Sequence, residues 1–259
     1  MPAQDDAREN TMVALFNLYV PPGRSRGDID AYLELEELDK PVPFELKSTT
    51  SDSVSTVRDF GPEHIAKWAD LHWLFAFYES DAVTLRYCYY ASPADMAGWI
   101  DDREQYVLPD YVLAKRAPEG ITDADLTEVV GTADTFSVDA AKRIMKKQWK
   151  AAQYRAAADL PDGRYSRAAM LDLLRQRCGY VIRRGATLNN PHIAESYLSE
   201  QAGLEPITKN HAACVRQLVR AYLANRDALL EQGAVPTEDQ VDPIIASQAS
   251  AAATDEAKE

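Results

Sequence analysis

The sequence predicts an α/β (α+β) fold with a central mixed sheet, flanking helices and a largely helical C-terminal half. Runs rich in β-branched and aromatic residues, which are typical of strands, are confined to about the first hundred residues. From Thr122 onwards, apolar residues recur at helical spacing between capping residues. The chain has 259 residues, of which 46% are hydrophobic. It is therefore long enough for a core domain with a smaller helical one.

The elements of the N-terminal part follow from local patterns. Apolar residues at helical spacing predict a helix over residues 8–19, which Pro21, Pro22 and Gly23 end. A hairpin of two antiparallel strands is predicted next, over Gly27–Thr50. Pro62 starts a helix and Ser92 caps another, as is common at these positions. The elements predicted after the hairpin are a helix over 62–71, strands over 73–78 and 83–90, and a helix from 92 to 106.

Capping residues delimit the helices of the C-terminal part. Thr122 and Ser137 are suitable N-caps, and Gly233 ends the last helix. Helices are predicted over 123–130, 138–159, 166–178, 191–200 and 210–231. The predicted domains are an α/β core over 1–118, a helical region over 119–232 packed on that core, and an acidic, disordered tail over 233–259.

Several classes of protein are disfavoured by composition. No apolar run approaches the roughly 20 residues that a membrane span needs, and the acidic N-terminus lacks the basic region of a signal peptide. The three cysteines, Cys88, Cys178 and Cys214, are odd in number and far apart, which favours reduced thiols over disulfides or a zinc site. We therefore expect a cytoplasmic protein without a membrane partner.

Charge is unevenly distributed along the chain. The net charge is −13, yet twelve basic residues face only three acidic ones between Lys142 and Arg184, a local charge of +9. A solvated helix surface would explain part of this block. Its one-sidedness favours a binding site for an anionic partner.

Acidic residues and a lysine share one face of the predicted hairpin. With a turn centred on Leu38-Asp39, Tyr32 faces Glu45 and Asp30 faces Lys47. Because side chains alternate along a strand, Asp28, Asp30, Glu45 and Lys47 then point to the same side. Asp30 and Glu45 are diagonal neighbours, close enough to ligate one ion between them.

This set of side chains suits phosphodiester hydrolysis. Carboxylates are hard oxygen ligands for Mg²⁺, which activates water and neutralises charge on the phosphate. The ammonium of Lys47 can hold the attacking water and stabilise the pentavalent phosphorus. Asp28 competes with Asp30 as the first ligand, although the register places Asp30 nearer Glu45; Asp28 is otherwise a second ligand or a loop residue. Glu9, on the first helix, is either a further metal ligand or a solvated residue.

The order of these residues resembles the PD-(D/E)xK nuclease superfamily. In that resemblance Asp30, Glu45 and Lys47 are the catalytic residues, and Asp30 and Glu45 bind the metal. The continuation resembles type II restriction endonucleases, on residues 44–50 (FELKSTT), 58–60 (RDF) and 64–68 (HIAKW). The resemblance implies a Mg²⁺-dependent homodimer that cleaves double-stranded DNA at a short specific sequence and works with a cognate DNA methyltransferase.

Candidate DNA contacts follow from residue type. The predicted helix 138–159 would carry a phosphate-binding row at i, i+3 and i+4 spacing. Base readout needs arginine and asparagine, which the segment 183–192 supplies, although Asn190-Pro191 also fits a capped turn. The loop from Ser48 to Arg58 would lie beside the metal site. The candidates are Arg143, Lys146, Lys147, Lys150, Arg164, Arg167, Arg183, Arg184, Asn189, Asn190 and His192, with Ser48, Thr49, Thr50 and Arg58 in the loop.

Two other functions are compatible with the sequence. A repair, phage or mobile-element nuclease of the same fold would cut DNA by structure instead of sequence. A non-catalytic DNA-binding protein would use the basic block alone and would leave the acidic hairpin unexplained.

Overall fold

The computed structural model describes residues 2–24, 28–56, 61–146, 148–186 and 190–234. It divides into two compact units, Met1–Tyr106 with Asn189–Glu259, and Val107–Leu188. The predicted boundary at residue 118 lies later in the chain than the observed one after Tyr106. The predicted helical region over 119–232 is also divided, because the chain after Leu188 returns to the first unit. The predicted tail from 235 onwards lies outside the described residues.

The described residues form a mixed α/β fold, as predicted. The helices are α1 (Pro2–Phe16), α2 (Pro62–Trp68), α3 (Pro93–Arg116), α4 (Asp123–Val130), α5 (Val138–Met145), α6 (Ala151–Ala157), α7 (Arg167–Ala186) and α8 (His211–Glu231). The strands are β1 (Ala31–Leu33), β2 (Val42–Thr49), β3 (Ser53–Ser55), β4 (His72–Tyr78), β5 (Leu85–Ala91), β6 (Thr135–Phe136), β7 (Tyr165–Ser166) and β8 (His192–Ala194). None of these helices combines the length and apolar character needed to cross a membrane.

The central sheet has the strand order β1-β2-β4-β5. The β1–β2 and β4–β5 pairs are antiparallel, and β2 runs parallel to β4. A crossover containing α2 joins the two parallel strands, as parallel pairing requires. Both the predicted hairpin and the mixed sheet are therefore confirmed.

One face of the sheet packs against α1 and α8. Alternate residues of the strands, such as Leu46 on β2 and Leu74 on β4, join Met12 and Phe16 of α1 and Val219 of α8 in a buried cluster. This alternation is the period-two pattern expected of a strand with one face in a core. The other side chains of β2, including Glu45 and Lys47, are left to the opposite face.

That opposite face is covered by aromatic side chains. The parallel register places Glu45 beside Trp73 and Lys47 beside Phe75. Trp68 packs on Trp73 with ring centroids 5.4 Å apart, and all seven residues of β4 are buried. The two polar residues therefore adjoin a layer of low polarity, where charges are poorly solvated.

Arg216 on α8 forms hydrogen bonds with the C-terminal end of α1. Its guanidinium donates hydrogen bonds of 3.0 Å to the carbonyls of Phe16 and Asn17. These are carbonyls at a helix C-terminus, which lack helical partners and carry partial negative charge. The contact holds α1, and with it Glu9, against the sheet.

We expect Arg216→Ala to lower the free energy of unfolding by about 1.5–3 kcal/mol, as for other hydrogen bonds to charged groups. Urea denaturation followed by circular dichroism measures this change. Lys209→Ala, at an exposed position just before α8, is the control and should leave stability unaltered. Equal stability of both variants would contradict the role given to Arg216.

The second unit is built around its own core. Residues from α4, α5 and α7, among them Leu126, Ile144 and Leu173, pack with Tyr165 of β7. The strands β6 and β7 form a short antiparallel pair. The predominance of helix after Thr122 is thus confirmed.

The predicted helix 138–159 is wrong, because two helices occupy this region. The first ends at Met145, and Lys146 follows it in the left-handed conformation with φ 54°. The second begins after Lys150, whose N–H donates to the side chain of Gln153 at 2.8 Å. Arg143, Lys146 and Lys150 therefore do not form a row along one helix, and Lys147 lies outside the described residues.

The predicted helix 191–200 is also wrong. His192–Ala194 forms β8, which pairs with β3, and a short π-helix, Tyr197–Gln201, follows. The carbonyl of Pro191 accepts hydrogen bonds from both the N–H and the hydroxyl of Thr56, at 3.0 and 2.9 Å. Tertiary pairing has overridden the local helical pattern here. Other predicted helices differ only at their ends, since α1 begins earlier and α3 and α7 run longer.

Candidate active site

The register of the hairpin differs from the predicted one by two residues. Tyr32 lies opposite Pro43, whereas the prediction placed it opposite Glu45. Continuing this register brings Asp30 level with Glu45 and no longer with Lys47. Because two residues are one full strand period, the shift leaves every side chain on its predicted face.

The cause of the shift is the position of the turn. Leu35 is buried in the core of the first unit, and its carbonyl accepts a 3.0 Å hydrogen bond from the N–H of Leu38. The turn therefore closes before the predicted Leu38-Asp39 centre.

Asp30 lies immediately before β1 and is 8% exposed. Its Oδ2 accepts a 2.8 Å hydrogen bond from the backbone N–H of Leu46 on β2. Its Oδ1 accepts a hydrogen bond from the guanidinium of Arg24. The backbone contact fixes the carboxylate across the hairpin, next to the side chains of β2.

Glu45 and Lys47 meet on the same face of β2. The Nζ atom of Lys47 lies 2.6 Å from Oε1 of Glu45 and 4.0 Å from Oδ2 of Asp30. The second oxygen of Glu45, Oε2, is buried and accepts no hydrogen bond within the described part of the chain. The structure thus brings together the three residues that the sequence predicted.

Two further cations reach these carboxylates, and the sequence did not predict them. Arg24 pairs with Asp30 and, through Nη1 at 2.6 Å, with Oε1 of Glu9 on α1. Lys67 on α2 lies 3.6 Å from Oε2 of Glu45. Arg24 immediately precedes the predicted hairpin, but only the tertiary fold shows that it turns back onto Asp30.

Asp28 has a different position. It is exposed, and its backbone carbonyl accepts a 3.1 Å hydrogen bond from Nζ of Lys67. Of the two aspartates left open by the sequence, Asp30 is the one whose carboxylate is buried beside Lys47. The geometry therefore favours Asp30 over Asp28 as the aspartate that would bind a metal ion together with Glu45.

Burial and neighbouring charges shift the pKa values of Asp30 and Glu45 in opposite directions. Burial, followed by the charge of Glu45, raises the pKa of Asp30 to about 6, although Lys47 and the N–H of Leu46 act in the opposite direction. Burial also disfavours the charged form of Glu45, but Lys47 and Lys67 outweigh it and lower the pKa of Glu45. Such a pair can hold one proton at mildly acid pH and accept a cation when that proton leaves.

Lys47 and Arg24 remain charged for the same reason. Burial would lower the pKa of each, but Glu45 and Asp30 outweigh burial at Lys47 and raise its pKa. Asp30 and Glu9 likewise raise the pKa of Arg24. Lys47 is therefore a fixed positive charge near neutral pH, suited to hold an anion or a water molecule.

The donor set fits Mg²⁺. Asp30 and Glu45 offer hard carboxylate oxygens, and Oε2 of Glu45 lies 3.6 Å from the Lys67 ammonium, beyond hydrogen-bond distance. Among the described residues, no three His, Cys, Asp or Glu side chains are arranged to hold a metal ion together. Mg²⁺ needs no such cage, because it usually binds through one or two carboxylates with water and substrate phosphate completing its shell.

The predicted DNA-proximal loop begins at the end of β2. Thr49 is buried, and its Oγ1 lies 2.9 Å from Oγ of Ser51. The next strand, β3, pairs with β8 so that Ser55 lies opposite the exposed His192. The structure therefore joins the predicted loop to the end of the predicted readout segment. Arg58 and Asn189, predicted in the same two segments, lie outside the described residues.

Some predicted DNA-binding arginines have structural contacts in the second unit. Arg167 forms a two-pronged ion pair with Asp123, at 2.5 and 3.0 Å, and donates to the carbonyl of Gly131 at 3.1 Å. Arg164 donates to the hydroxyl of Thr135. Arg143 is exposed and is a better candidate for phosphate binding.

We expect Arg167→Ala to lower the melting temperature by several degrees, because it removes contacts to both ends of α4. Arg143→Ala should leave the melting temperature unchanged and, if the chain binds DNA as its sequence predicts, weaken that binding. The slope of log affinity against log salt concentration should decrease in magnitude by about 1 for this variant. Thermal melts and fluorescence anisotropy at several salt concentrations measure the two effects, each variant serving as the other's control. The reverse assignment of effects would contradict this division of roles.

No protein-family model matches this chain, and no curated protein matches it either. The resemblance to PD-(D/E)xK nucleases therefore depends on Asp30, Glu45 and Lys47 and on the geometry described above.

Proposed function

We propose that this protein is a type II restriction endonuclease that hydrolyses phosphodiester bonds of double-stranded DNA with Mg²⁺. The observation that carries the proposal is the convergence of Asp30, Glu45 and Lys47 on one sheet face. The carboxylates are buried beside each other, and the lysine ammonium lies within 4.0 Å of both. Residues used only as ordinary strand surface would be solvated instead of buried.

Each side chain has a distinct task in this reaction. Asp30 and Glu45 would hold Mg²⁺, which when bound polarises the phosphate and lowers the pKa of water. Lys47 positions the attacking water and stabilises negative charge that develops on the phosphate. The N–H of Leu46 keeps Asp30 in place, and the aromatic layer at Trp73 limits solvation, which strengthens these electrostatic interactions.

Glu9 and Lys67 adjust the charge of the site. Lys67 lies near Oε2 of Glu45 and favours its ionised form. Glu9 shares Arg24 with Asp30 and adds negative charge on the side of the first unit where α1 lies. The positive charges of Arg24 and Lys67 thus offset the negative charges of the carboxylates, as burial of charge requires.

The proposal includes the partners expected of such an enzyme. Double-stranded DNA is the substrate. The exposed Arg143 is proposed to contact its phosphates, and the exposed Arg184 its bases. A homodimer would cut both strands of a symmetric site. A DNA methyltransferase would protect the host DNA.

Digestion of a sequenced plasmid with Mg²⁺ tests the proposal, with EDTA as the control. Discrete fragments with a common end sequence are expected, and sequencing of the ends gives the recognition site and the cut position. Cleavage only at nicks, branches or ends would favour a repair, phage or mobile-element nuclease. Salt-sensitive binding without any cleavage would contradict enzymatic activity and favour a non-catalytic DNA-binding protein.

A further inference from the structure

A pocket of about 460 Å³ opens beside the carboxylates of the first unit. Its lining includes Pro21, Pro22, Arg24, Tyr32 and Lys67. The volume is within the range of pockets that hold small organic ligands. The lining also includes Asp28, so two cations, one carboxylate, a phenol ring and two prolines face this space, unlike the lining of an apolar core cavity.

The pocket adjoins the candidate active site directly. Arg24 forms the ion pair with Asp30, and Lys67 lies 3.6 Å from Glu45. Tyr32 follows Asp30 by two residues, so both side chains lie on the same side of the hairpin. A ligand in this pocket would therefore touch the residues that surround the reacting phosphate.

The aromatic wall of the pocket is held rigidly. Tyr19 and Tyr32 exchange two backbone hydrogen bonds, each of 2.9 Å. Their rings are stacked, with centroids 5.6 Å apart and planes inclined by 27°. Pro21 and Pro22 follow two residues later, and their fixed φ angles restrict the adjoining segment. The wall is thus ordered before any ligand arrives, which reduces the entropic cost of binding.

We infer that this pocket binds one nucleotide of the DNA strand beside the scissile phosphate, an inference that rests on the proposed nuclease function. Arg24 and Lys67 contact the phosphate of that nucleotide, since both cations line the pocket and border the carboxylates. Tyr32 and the two prolines contact its base and sugar. Stacking on an aromatic ring tolerates any base, so the pocket positions the strand and does not select its sequence.

A fluorescent nucleotide tests this inference without metal or cleavage. The probe is 2-aminopurine deoxyribonucleoside 5′-monophosphate, whose emission falls when its base stacks on an aromatic ring. Titrating the protein into the probe in metal-free buffer should give saturable quenching. Tyr32→Phe should retain it, and Tyr32→Ala should weaken the affinity by about tenfold, the effect expected for loss of one stacking contact.

Two variants guard against unrelated effects. Tyr32→Leu keeps an apolar side chain of substantial volume without the ring, so it separates loss of stacking from loss of folding; it should bind as weakly as Tyr32→Ala. Tyr106→Ala removes an exposed tyrosine, at 58% exposure, that does not line the pocket; it should bind like the unaltered protein. Undiminished quenching by Tyr32→Leu, or no saturable quenching by the unaltered protein, would overturn the inference.

Plasmid digestion separates this inference from the proposed function. Cleavage without quenching would uphold the nuclease and reject the pocket as a nucleotide site. Saturable, Tyr32-dependent quenching without cleavage would uphold the nucleotide site and reject the nuclease.

Discussion

Replacing Lys47 with methionine is expected to lower the rate of DNA cleavage by about 10³-fold, within the range measured for loss of a catalytic acid–base or an electrostatic stabilising group. The ammonium of Lys47 lies within 4.0 Å of both carboxylates, where it can position water and stabilise charge on phosphate. Methionine retains much of the length of the side chain and removes only its charge and hydrogen bonds. Single-turnover cleavage of plasmid DNA at saturating Mg²⁺ measures the effect on chemistry.

Lys40→Met is the matched control. Lys40 is exposed in the connection between β1 and β2, so it is on the same hairpin but away from the carboxylates. Its substitution should leave the rate unchanged. Arginine at position 47 keeps the charge but not the shape of the ammonium, so Lys47→Arg should recover part of the rate at most.

The Lys47→Met variant also removes the closer of the two described cations beside the buried carboxylate of Glu45 and leaves only Lys67. Loss of stability is therefore expected, and a thermal melt must show that the variant is folded at the assay temperature. A folded Lys47→Met variant that cleaves at the rate of the unaltered protein would contradict the assignment of Lys47. Lys67, which approaches Glu45 from α2, would then be the next candidate to test by substitution.

The hairpin could be predicted from the sequence because the residues that determine it are close together in the chain. Two short strands and a turn lie within 24 residues, and side-chain alternation specifies which residues share a face. The prediction placed Asp30 two residues away from its observed partner, yet the face was right, because the error equalled the strand period. A shift of one residue would have placed Asp30 and Glu45 on opposite faces.

Arg24 and Lys67 could not be predicted in the same way. The pairing of Arg24 with Asp30 and Glu9 depends on how α1 returns to the sheet. The approach of Lys67 to Glu45 depends on the crossover that carries α2 between two parallel strands. Both are tertiary contacts that no spacing in the sequence encodes.

The errors in the C-terminal part have a similar origin. Lys146 ends α5 in a left-handed conformation, where glycine or asparagine is the usual signal. His192–Ala194 extends because β3 offers hydrogen bonds to it. At β8, tertiary pairing thus overrides a local pattern that favours helix.

Replacing Asp30 with asparagine is expected to abolish cleavage while making the metal-free protein more stable above neutral pH. Burial, together with the charge of Glu45, raises the pKa of Asp30 from 3.8 to about 6. Asp30 is therefore more easily protonated when the protein is folded than when it is unfolded. Its favourable contribution to stability is full below pH 3.8 and is lost as the pH rises through about 6.

The expected gain from Asp30→Asn at pH 8 is about 1–3 kcal/mol in the free energy of unfolding, since one pKa unit corresponds to about 1.4 kcal/mol. Asparagine imitates the protonated acid, and its carbonyl can still accept the hydrogen bond from the N–H of Leu46. Loss of the ion pair with Arg24 offsets part of the gain. Urea denaturation in EDTA from pH 4 to pH 8 measures the difference, with Asp39→Asn, at an exposed position in the same hairpin, as the control.

Adding Mg²⁺ tests whether Asp30 binds a metal ion. A cation bound by Asp30 and Glu45 stabilises the folded state by mass action, so millimolar Mg²⁺ should raise the stability of the unaltered protein at pH 8 but not that of Asp30→Asn. If Asp30→Asn were the less stable protein at every pH, the ion pair with Arg24 would outweigh the cost of burial. Asp30 would then be a structural residue. If instead the carboxylate of Asp30 destabilises the folded protein until a metal ion binds, its buried position serves metal binding.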